Sequence, residues 1–94
     1  MKKTRFVVAV AAKDSNFRQK MESELDGIIV PELGSMIQLC EGEFAPSRGV
    51  TVLPGSNGNG APSVVVNCGT AARDNADDAQ LLINRMRREG WVMA

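Results

Sequence analysis

Ser63-Val64-Val65-Val66-Asn67-Cys68 leads through Gly69-Thr70 to Asn75-Ala76-Asp77-Asp78. An apolar series follows at Ala79, Leu82, Ile83 and Met86, and the stretch closes on Gly90-Trp91-Val92-Met93. The first six residues, rich in β-branched side chains and followed by turn formers, predict a strand with Val64 to Val66 at its centre. The apolar series at three- and four-residue spacing predicts one buried face of a helix. Asn75 can cap that helix, because its side-chain oxygen accepts from a free N–H of the first turn. Asp77 and Asp78 sit at the positive end of the helix dipole, and Arg85, Arg87 and Arg88 at the negative end. Gly90 suits the left-handed residue that ends many helices, and Trp91 is then placed to pack back on Met86. Trp91 to Met93 reads as a last short strand.

Arg5 to Ala12 is a continuous apolar run suited to a central strand. Preceded by Lys2-Lys3 and containing Ala9-Val10-Ala11, it also has the outline of a secretory leader. Its apolar part, Phe6 to Ala12, has the minimum length for one, and a buried strand is the expectation. Asp14 or Ser15 can cap a following helix over 15–27, with Phe17, Met21, Leu25 and Ile28 recurring at helical spacing. Gly27 weakens that helix, and Pro31 ends it at or before Val30. Ser35 to Phe44 reads as a second strand broken near Gly42, and Pro46 to Gly49 as a turn. Val50 to Leu53 reads as a short third strand. Residues 54–62, with Gly55, Gly58 and Gly60, read as a flexible loop.

The resulting order is β-α-β-β-β-α-β in a single domain spanning 1–94. This order predicts an α+β split β-α-β sandwich of ferredoxin-like type, with two helices on one face of a mostly antiparallel sheet. At 94 residues, with 44% hydrophobic and 23% charged residues, the chain has ordinary globular composition. No apolar stretch approaches the roughly 18 residues of a bilayer span.

The chain contains no histidine and no tyrosine, so Ser-His and Cys-His nucleophile pairs cannot form within it. Cys40 and Cys68 are too few for a zinc site without other ligands, and both lie in apolar runs. They read as buried thiols of a reducing cytoplasm rather than as a disulfide. Cys68 as a nucleophile lacks an activating base. Asp74, Asp77 and Asp78 read as dipole compensation rather than a magnesium cluster. The expectation is therefore no catalytic residues, no metal and no cofactor.

Net charge is zero, but the charges are segregated. Lys2, Lys3, Arg5, Lys13, Arg18 and Lys20 stand in the first twenty residues against Asp14 alone. Residues 21–47 hold Glu22, Glu24, Asp26, Glu32, Glu41 and Glu43 with no base. This combination predicts a small non-enzymatic protein-interaction module, a regulator, inhibitor or subunit of a larger assembly, pairing with another protein or with its own copy. A nucleic-acid surface is the second reading. It uses Lys2, Lys3, Arg5, Arg85, Arg87 and Arg88 at one end of the sandwich, but Phe6, Phe17, Phe44 and Trp91 are expected in the core rather than exposed for stacking. A third reading places a small anion on Asn67, Gly69, Thr70 and Arg73 in the strand-to-helix loop 67–73. No membrane association is expected.

Overall fold

The computed structural model describes residues 2–54 and 62–94; the glycine-rich loop expected at 54–62 therefore falls, apart from its two ends, outside the described residues. The chain forms β1 (Lys3–Ala12), β2 (Arg18–Asp26), β3 (Met36–Cys40), β4 (Glu43–Pro46), β5 (Gly49–Val52), β6 (Val64–Arg73), α1 (Ala76–Arg88) and β7 (Val92–Met93). Five strands make one mixed sheet in the order β5-β6-β1-β2-β7, while β3 and β4 pair separately as a hairpin. Strand β1 is parallel to β6 and antiparallel to β2.

The two-helix ferredoxin-like sandwich does not form, because residues 15–27 are not a helix. They contain β2, which lies antiparallel to β1 from Lys3 opposite Asp26 to Ala11 opposite Arg18. Phe17, Met21 and Leu25 are spaced by four, and four is close to one helical turn but also an even number of strand steps. The positions between them settle the matter. Arg18, Lys20, Glu22, Glu24 and Asp26 are all charged at alternate positions, which is the period of a strand with one wet face. Helix-favouring side chains are overridden here because pairing with β1 sends Met21 into the core, fully buried.

In β1 the alternation is complete. Thr4, Phe6, Val8, Val10 and Ala12 are buried on the inner face, while Lys3, Arg5, Val7, Ala9 and Ala11 are half-buried on the outer face. The single described helix, α1, covers the inner face with Ala79, Leu82, Ile83 and Met86. Its ends form as the sequence predicts. The Asn75 side chain accepts from the Asp78 N–H at 2.8 Å. At the other end Gly90 adopts φ 104°, the Trp91 N–H donates to the Met86 carbonyl at 3.1 Å, and the Gly90 N–H donates to the Arg87 carbonyl at 3.2 Å. These are the two bonds of a Schellman terminator, and Trp91 is buried in the same core cluster as Met86.

The expected strand over Ser35 to Phe44 is two strands, β3 and β4, turning at Glu41-Gly42. A register shift at Leu39 lets Leu39 and Cys40 both turn inward, where with Ala45 they close the core opposite the sheet. Phe44, expected in the core, is exposed on the hairpin.

The expected strand at Ser63–Cys68 also runs further than its apolar run suggests. Residues 67–73 are strand rather than a strand-to-helix loop. The pairing of β6 with β1 shifts between Val7 and Ala9, which face Asn67 and Thr70. Gly69, at φ 69°, is the extra residue of this bulge. It restores the alternation so that Cys68 and Ala71 point inward and Thr70 points outward.

Candidate functional site

A groove of about 430 Å³ runs between the hairpin and one end of the sheet. Phe6, Leu39, Cys40 and Trp91 supply its apolar part, with Ser23 and Leu25 of β2 on one side and all five residues of β3 on the other. Successive side chains of a strand point to opposite faces, so a cavity bordered by five consecutive residues meets the strand along its edge. Among the described residues β3 pairs only with β4. The Ser47 N–H bonds to the Ser35 carbonyl at 2.7 Å, which sets the bonded pairs at odd positions and turns the N–H groups of Met36 and Gln38 toward the open edge. Strand β4 ends on Pro46, which has no N–H to offer on its own outer edge. The edge of β3 that is open among the described residues faces the groove.

The surroundings are apolar and acidic. Leu25 and Met36 are exposed although they line the groove, and the segment joining β2 to β3 exposes Ile28, Ile29, Val30 and Leu33, the last at 78%. Thr4 anchors the start of that segment: its buried Oγ1 donates to the Gly27 carbonyl and accepts from the Ile29 N–H, each at 2.9 Å. The charged residues lining the groove are Glu41 and Glu89. Arg85 of α1 donates to the Glu41 carbonyl at 2.6 Å.

The six cations nominated from the sequence do not form one patch. Lys3 and Arg5 lie on the outer face, where Arg5 Nη2 meets Glu24 at 2.9 Å, Arg5 Nε meets Glu22 at 3.2 Å and Lys3 Nζ meets Glu24 at 3.7 Å. The hydrogen bond from Arg5 holds the Glu24 carboxyl below the usual carboxylate range, against a smaller upward push from burial. Arg85, Arg87 and Arg88 sit on α1, across the sheet on the inner side, and exposed Lys2 precedes β1.

Asn67, Gly69 and Thr70 do come together, on the outer face of β6, where Val7, Ala9, Arg18 and Lys20 join them around a shallow depression of about 250 Å³. Arg73 does not take part; it turns to an ion pair with Glu43. A helix over 15–27 would spread Arg18 and Lys20 around its axis, whereas strand β2 puts them on one face. Their alternation with Gln19 and Met21 was the available signal.

Cys68 points into the core, and burial pushes its thiol up to about 11, against a smaller lowering by a backbone hydrogen bond from Val7. At pH 8 the folded chain therefore holds Cys68 as the unreactive thiol. Alkylation of Cys68 at pH 8, followed by peptide mass spectrometry, is expected to be negligible in buffer. It should accelerate by orders of magnitude in 6 M guanidinium, as the exposed thiol returns to roughly 8.5. Equal rates in the two solvents would rule out the buried placement.

Both cysteines are unpaired and buried. Asp74 is paired with Lys13 at 4.0 Å, and Asp78 accepts from Asn75 at 3.3 Å. Among the described residues no group of three His, Cys, Asp or Glu side chains converges as metal ligands, and no helix is long and apolar enough to cross a membrane. Comparison of the chain with known protein families, with curated proteins and with solved structures finds no match.

Proposed function

We propose that this chain is a small non-enzymatic protein-interaction module that binds an extended, apolar and basic segment of another protein by adding it as a strand to β3. The observation that carries this reading is the groove lined edge-on by Met36–Cys40. An added strand satisfies the outward N–H and C=O groups of that edge, and its alternate side chains reach the apolar floor at Phe6 and Trp91. Glu41 and Glu89 select against an acidic segment and favour lysine or arginine at its ends. Pairing β3 with β3 of a second copy would bring the same two acids of both copies to one seam, so a partner of opposite charge is preferred over self-association. Nucleic acid is disfavoured because Lys3 and Arg5 are already neutralised by Glu22 and Glu24. The two buried unpaired thiols support a reducing compartment such as the cytoplasm.

The test uses a seven-residue peptide of alternating lysine and valine, titrated into the labelled chain and followed by backbone amide NMR. Shifts are expected to concentrate on Met36–Cys40, Leu25 and Trp91. Gln38→Pro removes an outward N–H without touching the bonded pairs to β4, and should weaken binding at least about tenfold, whereas Gln38→Ala should stay within about twofold. Equal affinity of the proline variant, or shifts scattered over the acidic surface, would sink the edge assignment. Concentration-dependent dimerisation abolished by Gln38→Pro would instead assign the edge to a second copy.

A further inference from the structure

We infer a second binding site, independent of the groove and on the opposite face of the sheet: the depression between β2 and β6 takes a doubly charged phosphate group. The argument rests on what its polar groups can still do. Asn67 Oδ1 is occupied by the Gly69 N–H at 2.8 Å, so the carboxamide presents its NH₂. Thr70 Oγ1 accepts from Arg18 Nη2 at 3.3 Å, so its O–H remains to donate. Arg18 contributes the rest of its guanidinium fork and Lys20 three ammonium protons. Among the described residues, every polar side chain lining the depression therefore offers donors, and no carboxylate lines it.

The two cations are also uncommitted. Arg18 and Lys20 make no ion pair among the described residues, because the outer-face acids further along β2, Glu22 and Glu24, are taken by Arg5 and Lys3. Standing two residues apart on one face, they are separated by about 7 Å along the strand, a spacing that lets both reach one tetrahedral anion between them. The Gly69 bulge shapes the place. It turns Thr70 outward, and it lets the Arg48 side chain lie across the backbone, where a Cβ on Gly69 would sit 3.0 Å from Arg48 Cγ. The Val7 and Ala9 side chains leave an apolar floor suited to the carbon part of a phosphate ester.

The experiment is an amide NMR titration at low ionic strength with inorganic phosphate, and with acetate as the singly charged control. Expected shifts are confined to Ala9, Lys20, Asn67, Gly69 and Thr70, with phosphate bound at least about tenfold tighter than acetate. Arg18→Gln and Lys20→Gln, both exposed and outside the core, should each weaken phosphate at least about tenfold, while Arg88→Gln leaves it unchanged. Glycerol phosphate and a phosphoserine peptide then distinguish a small ester from a phosphorylated protein as the source, and tighter binding of either supports the site. Equal binding of acetate, equal binding by the Arg18 and Lys20 variants, or shifts spread over the arginines of α1 would overturn it.

Discussion

Met86→Ala is expected to lower the unfolding free energy by about 2–5 kcal/mol. Met86 is fully buried in the centre of the core, on the one described helix that covers the inner face of the sheet. Truncation loses the transfer energy of the removed atoms and leaves a cavity, and strands on one side with a hairpin on the other restrict how far the site can collapse. A domain of this size has a total stability of about 5–15 kcal/mol, so the loss is a large share of it. The sole tryptophan, Trp91, is 6% exposed and bonded to the Met86 carbonyl, so its fluorescence reports the transition directly in urea. Two controls make the reading specific. Leu81→Ala on the same helix, 60% exposed, should change stability by no more than about 0.5 kcal/mol. Met86→Leu, which nearly conserves volume, should cost less than about 1.5 kcal/mol. Similar midpoints for Met86→Ala and Leu81→Ala would show that α1 presents a different face.

Gly69→Val is expected to cost about 2–3 kcal/mol, although Gly69 touches no large side chain of the core. At φ 69° a β-branched residue is strained in a way that glycine is not, and the new Cβ would press on the Arg48 stem. The alternative open to the chain is worse. Losing the bulge would move β6 one step past β1 and turn Thr70 inward and Ala71 outward, exchanging a polar for an apolar side chain in the core. Asn tolerates the left-handed region better than other side chains, so Gly69→Asn should recover roughly half of the loss. Urea unfolding of the two variants measures both numbers. A Gly69→Val chain as stable as the parent would mean that β6 runs without its bulge.

The elements legible in advance are those whose causes are local. The cap at Asn75, the apolar stripe from Ala79 to Met86 and the Gly90-Trp91 terminator each depend on residues within a turn or two, and each forms as expected. Residues 15–27 were ambiguous for a physical reason: apolar side chains four apart satisfy both periods, and Lys, Glu, Met and Leu favour helices in isolation. The charged alternation from Arg18 to Asp26 was the stronger signal, since each of those residues finds its place on the outer face beside β1. Of the four residues expected to hold an anion, Asn67, Gly69 and Thr70 do gather, but Arg73 turns to Glu43, and the cations beside the three, Arg18 and Lys20, come from β2, with Arg18 52 residues from Thr70 in the chain. The open edge of β3 had no sequence signature, because an edge is defined by what fails to pair with it.

Local chemistry along the chain was enough to establish a single core built on Arg5–Ala12 and Val64–Cys68, one well-capped helix, and the want of an imidazole for catalysis. Which strands became neighbours and which residues gathered on each face of the sheet followed from pairing between distant segments. Backbone groups must find partners in three dimensions, and a periodicity compatible with two structures is resolved by the neighbour that buries it best.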